Sequence, residues 1–168
     1  MDLFHVSEDS GIRLFEPRPS SAFPDLGLVV WAIDESHLVN YLLPRDCPRV
    51  TFTPASATTA ADRERFRTDG CSRVIVVATN WLARIAAATL YVYRMPDDAF
   101  ELHDGSAGYW ISSKPVIPVG VVAVSDVRRE IAARKADLRT VAHLPTFADA
   151  VSASTLDFSI IRLRNAVL

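Results

Sequence analysis

An α+β fold, with mostly antiparallel sheets packed as a split sandwich and short helices at its periphery, is predicted by three features of the 168-residue sequence. Short apolar, β-branched runs recur along the whole chain. Turn residues divide its middle at hairpin spacing, and helical periodicity is confined to brief stretches. About eight or nine strands and five short helices result, and the strict strand–helix alternation of a doubly wound sheet fits less well. With 49% apolar and 23% charged residues, a chain of this length buries one sizeable core, so residues 1–168 are expected to form a single domain.

The elements follow in order. Residues 3–6 alternate as a first strand, Ser7-Glu8-Asp9-Ser10-Gly11 supplies a turn, and residues 12–15 resume an extended pattern. Pro17, Pro19 and Pro24 stiffen the loop before residues 28–33, an apolar run too short for a buried helix. Asp34 stands where an N-cap is wanted, Leu38, Tyr41 and Leu42 share one face at helical spacing, and Pro44 ends a helix over 35–43. Residues 49–52 read as a strand, 59–66 as a charged helix and 74–78 as a strand. Asn80 caps a helix over 81–88, and 90–93 form a strand stopped by Met95-Pro96. Extended segments at 100–103, 109–112 and 116–124 are separated by Gly105, Gly108 and Lys114-Pro115, with Pro118 bending the last or holding it at an edge. Asp126 caps a helix to Lys135, Thr146 caps another to Ser152, and 158–163 close the chain as a strand.

Charge and motifs exclude several classes. The net charge of −2 argues against a general nucleic-acid or anionic-membrane binder. The longest uncharged run, residues 50–61, carries four Thr and a Pro and falls short of a bilayer span. The amino terminus lacks the basic region of a signal peptide and goes straight into a strand-like pattern, so a cytoplasmic protein is expected, with Cys47 and Cys71 as reduced thiols. The dispersed histidines and the two cysteines have no zinc spacing, and no metal is expected. GxGxxG, P-loop, GxSxG and HExxH motifs are absent, so a phosphate would have to be held by side-chain cations and helix N-termini.

Three constellations can carry chemistry. Alternation puts His5 and Ser7 on one side of a strand, opposite Phe4 and Val6, where an imidazole and a hydroxyl can fix a ribose and Glu8 can act as a base; a plain strand-end turn explains the same residues. Pro44 and Pro48 stiffen a corner bearing Arg45 and Arg49, suited to bidentate phosphate contacts or to an ion pair with Asp46, with Cys47 filling an apolar gap. Trp31, Tyr41 and Tyr109-Trp110 offer rings that stack on a flat ligand or pack in a core. His37 and His103 are expected on solvent faces. The basic helix face of Arg128, Arg129, Arg134 and Lys135 is offset by Asp126, Glu130 and Asp137, so it reads as solvated.

The runs LFHVSED, FEPRP, VWAID, YLLPRDCPRV, LYVYRMP, GYWISSKPVIPV and FSIIRLRNA together resemble a family of functionally uncharacterised bacterial proteins of about this length. More distantly, the order of parts looks like the ADP-ribosyltransferase fold, in which packed antiparallel sheets hold NAD in a cleft. That resemblance implies that His5 binds the adenosine ribose and that Trp31 or Tyr41 stacks on nicotinamide. Where that fold carries a catalytic Glu, near GYWIS, this chain has Tyr109 and Trp110, which implies a degenerate enzyme. The expectation is therefore a nucleotide-binding domain of the NAD or ADP-ribose type using His5, Ser7, Trp31, Tyr41, Arg45 and Arg49, with NAD as the candidate cofactor. The alternative is a non-catalytic structural or protein-interaction domain.

Overall fold

The computed structural model describes residues 1–166. In chain order its elements are β1 (Leu3–Ser7), β2 (Arg18–Pro19), β3 (Leu28–Asp34), β4 (Arg49–Thr53), α1 (Ala60–Phe66), β5 (Arg73–Ala78), α2 (Leu82–Ala87), β6 (Leu90–Met95), β7 (Glu101–Asp104), β8 (Tyr109–Ser112), β9 (Gly120–Val124), α3 (Val127–Ala133), β10 (Ala136–Val141), α4 (Leu144–Ser152) and β11 (Asp157–Ile161). This is the mixed, predominantly antiparallel class that the sequence predicts. The chain divides into two compact units, Met1–Leu42 with Thr89–Ser125, and Leu43–Ala88 with Asp126–Leu168.

The first unit is a wholly antiparallel sheet in the order β7-β8-β3-β1-β6-β9, with β2 paired to β3. Its core lies on one face: Leu3, Val30, Ala32, Tyr93 and Met95 pack there with Phe15, Phe100 and Val116. The two-residue period explains the choice, because Leu3 pairs with Asp34 in β3 and with Met95 in β6, which aligns the odd positions of β1 with that apolar set. The extended segment expected at 12–15 is reduced to one bridge, Phe15 to Val116, and this takes Val116 out of β9, which begins at Gly120. The helix expected over 35–43 is only a 3₁₀ turn, Leu38–Tyr41. Asp34 is not its cap. It ends β3, and its carboxylate accepts from the His37 amide at 3.0 Å.

The second unit is a four-stranded sheet in the order β10-β5-β4-β11. Val50, Phe52, Val74 and Val76 meet Phe66 of α1 and Leu144, Ala148 and Val151 of α4 in its core. Asp126 caps α3 as the sequence predicts, while Thr59, expected as the first residue of its helix, is instead the cap of α1 and accepts from the Asp62 amide. Two other caps differ. Asn80 lies within a 3₁₀ turn, Thr79–Trp81, that leads into α2, and α4 starts three residues early because the His143 ring accepts from the Thr146 amide. The strand β10, parallel to β5, has no counterpart in the sequence reading. Its Asp137 and Arg139 pair with each other at 2.7 Å, and Arg139 also donates to the Phe66 and Arg67 carbonyls at the end of α1. A charged, apparently solvated stretch is in fact the clamp on a helix terminus.

Candidate functional site

On the face of the first sheet opposite the Leu3–Tyr93 cluster, partly exposed rings gather beside buried Val29 and Ile33. Phe4 opposes Ile33 in register, so Trp31 lies on the Phe4 side, and Tyr109, opposite Ile33, lies there too. The rings of Phe23, His103 and Tyr109 approach Trp31 at centroid distances of 5.3, 5.5 and 5.5 Å. Tyr41 adds an edge contact to Tyr109 at 6.4 Å, and its hydroxyl donates to the Tyr109 hydroxyl. None of these five rings is fully buried. They form an aromatic surface with two hydroxyls at one side.

Beside the tyrosines stands a polar pair that local chain geometry builds. His37 Nδ1 donates to Asp34 Oδ1 at 2.8 Å, and the Ser36 hydroxyl donates to the same oxygen at 2.7 Å. Burial pushes the Asp34 carboxyl up, but the bonds from Ser36 and His37 outweigh it and hold the group below the usual carboxylate range. Gly108, in the turn before β8, donates no side chain: a Cβ there would collide with His37 Nδ1 and Cγ and lie 2.8 Å from Asp34 Oδ2. Its φ of +69° suits glycine as well. The Gly108 carbonyl accepts from the Asp34 amide at 3.1 Å, so the turn presses directly on the pair.

The residues singled out in the sequence separate into three places. Trp31 and Tyr41 belong to the aromatic surface. His5 and Ser7 share a side of β1, but it is the core side: the His5 ring lies 4.7 Å from Phe15 and donates from Nδ1 to the Trp31 carbonyl, while Ser7 Oγ accepts from the Asp9 amide. Arg45 and Arg49 lie in the second unit. Arg45 is exposed, whereas Arg49 is buried and donates to the Cys47 and Pro44 carbonyls at 3.0 and 3.4 Å. Burial drives the Cys47 thiol up to about 11 against the pull of Arg49 and Arg84, so it is a packing group at neutral pH.

Asp34, His37 and His103 are the residues that sequence reasoning misplaced. The two histidines are half-buried rather than solvated, because alternation from Glu101, which pairs with Ile111 opposite Trp31, puts His103 on the aromatic side and the Asp34 carboxylate draws His37 in. The signal available was the spacing Asp34-x-Ser36-His37, which reads equally as a helix start. Among the described residues no group of His, Cys, Asp and Glu is arranged to hold a metal ion, and no helix is long and apolar enough to cross a membrane.

No curated protein and no solved structure matches the chain at the significance required. A family model described as a family of unknown function (DUF6886) matches residues 4–166, and the chain belongs to that family.

Proposed function

We propose that this protein binds a nucleotide of the NAD or ADP-ribose type, with a planar ring of the ligand laid against Trp31 and Phe23 and its polar edge toward Tyr41 and Tyr109. The observation that carries this reading is the aromatic surface itself. Five rings gather on the face of the sheet opposite the Leu3–Tyr93 cluster, beside buried Val29 and Ile33, and each keeps part of its surface exposed, which leaves it open to stacking. Tyrosine hydroxyls supply both a donor and an acceptor for the edge of a base or carboxamide. The reading includes a cytoplasmic setting, in which the two free thiols stay reduced.

Titration calorimetry with NAD, ADP-ribose and ADP tests it. Micromolar binding that is lost in Trp31→Ala and retained in Arg45→Ala is expected. At a ligand concentration 100-fold above Kd, binding adds about 2.7 kcal/mol of stability, read as a raised melting temperature. Absence of heat and of any melting shift with all three ligands would remove the proposal. A second reading, a structural or protein-interaction domain without a ligand, is favoured by Arg49, whose guanidinium is spent on its own corner. It predicts that same silence.

A further inference from the structure

We infer that His37 is a general base that activates water against the ligand held on the aromatic surface, with Asp34 as its positioning residue. This rests on the nucleotide reading above. In a neutral imidazole one nitrogen donates and the other accepts. Nδ1 is committed to Asp34 Oδ1 at 2.8 Å, so the proton sits there and the lone pair is on Nε2, which has no hydrogen-bond partner among the described residues. The pair is rigid: the Ser36 hydroxyl and the His37 amide both donate to the same Asp34 oxygen, and Gly108 leaves no space for the ring to shift toward β8. The His37 side chain keeps 17% of its surface exposed, enough for a water to reach it while most of the ring is enclosed.

The pair is also joined to the aromatic surface along two routes. His37 leads into the 3₁₀ turn that ends at Tyr41, and Gly108, which touches His37, precedes Tyr109. The two tyrosines close this circuit through their hydroxyls. In the step proposed, a water gives one proton to His37 Nε2 as its oxygen bonds to an electrophilic carbon or phosphorus of the nucleotide. The bond from that centre to the leaving group breaks, the electron pair departs with the leaving group, and the leaving group takes the proton back from Nε2. The sum is hydrolysis, with water as the only co-reactant.

The test incubates the full chain with NAD, ADP-ribose or ADP in ¹⁸O-labelled water, follows the products by mass spectrometry and measures binding in parallel. Label is expected in one product, and its position tells carbon from phosphorus as the centre attacked. His37→Asn keeps a donor to Asp34 but has no Nε2, so kcat should fall about 10²–10⁴-fold with KM changed less than about threefold. Asp34→Asn should lower kcat in the same range with KM again held, because it removes the charge and puts a donating amide where only acceptors stood, so the Nδ1–H tautomer is no longer enforced. Unchanged turnover in a folded His37→Asn or, if that variant does not fold, in Asp34→Asn would overturn the inference. Binding by the wild type without any labelled product would overturn it too and leave the nucleotide reading standing, whereas absence of binding would remove both.

Discussion

The Tyr41 hydroxyl donates to the Tyr109 hydroxyl at 2.7 Å, so that a turn following β3 and a strand 68 positions later are joined by one O–H···O bond. Tyr109→Phe deletes the acceptor and keeps the ring. A loss of about 1 kcal/mol is expected, read in calorimetry as a melting temperature lower by about 2–4 °C. An unchanged melting temperature would mean that the hydroxyl pair contributes nothing to holding the turn.

Gly108 and Gly120 make a matched contrast. Gly108→Ala combines a left-handed backbone with a collision against His37, and about 2–4 kcal/mol of destabilisation is expected from strain and displacement together. A Cβ at Gly120 meets nothing within 4 Å and needs no unusual backbone, so Gly120→Ala should be neutral or stabilising by up to about 1 kcal/mol. Urea midpoints of the two variants check the pair. Equal midpoints would show that the Gly108 turn yields freely.

Acid should weaken the protein through Asp34. A carboxyl whose folded-state pKa lies below its ordinary value of about 3.9 contributes stability that is complete above that value and is lost as pH falls through the folded-state value. Asp62, bonded to the Thr155 amide and hydroxyl, and Asp104, bonded to Ser106, are lowered in the same direction and add to the slope. Urea unfolding at pH 5, 4 and 3 should show a steep decline in the wild type and a shallower one in Asp34→Asn. Parallel curves would remove Asp34 from the account.

The two arginines of the proline corner should behave oppositely. Arg49→Ala leaves the Cys47 carbonyl without its donor, while the Pro44 carbonyl keeps the Cys47 amide, and with the buried side chain gone about 2–4 kcal/mol should be lost. Arg45→Ala removes an exposed side chain and should stay within about 0.5 kcal/mol. Thiol labelling at pH 8 offers a second readout: Cys47 should react only after unfolding in the wild type and in the native state of Arg49→Ala if local packing is lost.

Most strands were legible because each carries its own signal. The run in β3, the alternation in β1 and the YWIS segment of β8 need no tertiary partner to be read as extended. What failed to show had its cause elsewhere in the chain. Asp137 and Arg139 give β10 the look of a solvated stretch, and only the carbonyls at the end of α1 explain them. The site followed the same rule. Trp31 and Tyr41 stand out as large rings in any reading, yet the partnership of Asp34 with His37 depends on a glycine more than seventy positions away, and nothing local distinguishes it from a helix cap. His5 and Ser7 share one side of β1, as alternation predicts, but that this side faces the core depends on the register with β3 and β6.

The parallel pairing of β5 with β10 has a consequence for synthesis on the ribosome. Arg73 waits for Ala136, about 60 residues later, and at 5–20 residues per second that is about 3–12 s of translation. During that interval the valine-rich β5 has β4 along one edge and nothing from its own sheet along the other. A nascent chain stalled within the intervening segment would therefore present a sticky, half-zipped ribbon, the form on which holding chaperones act.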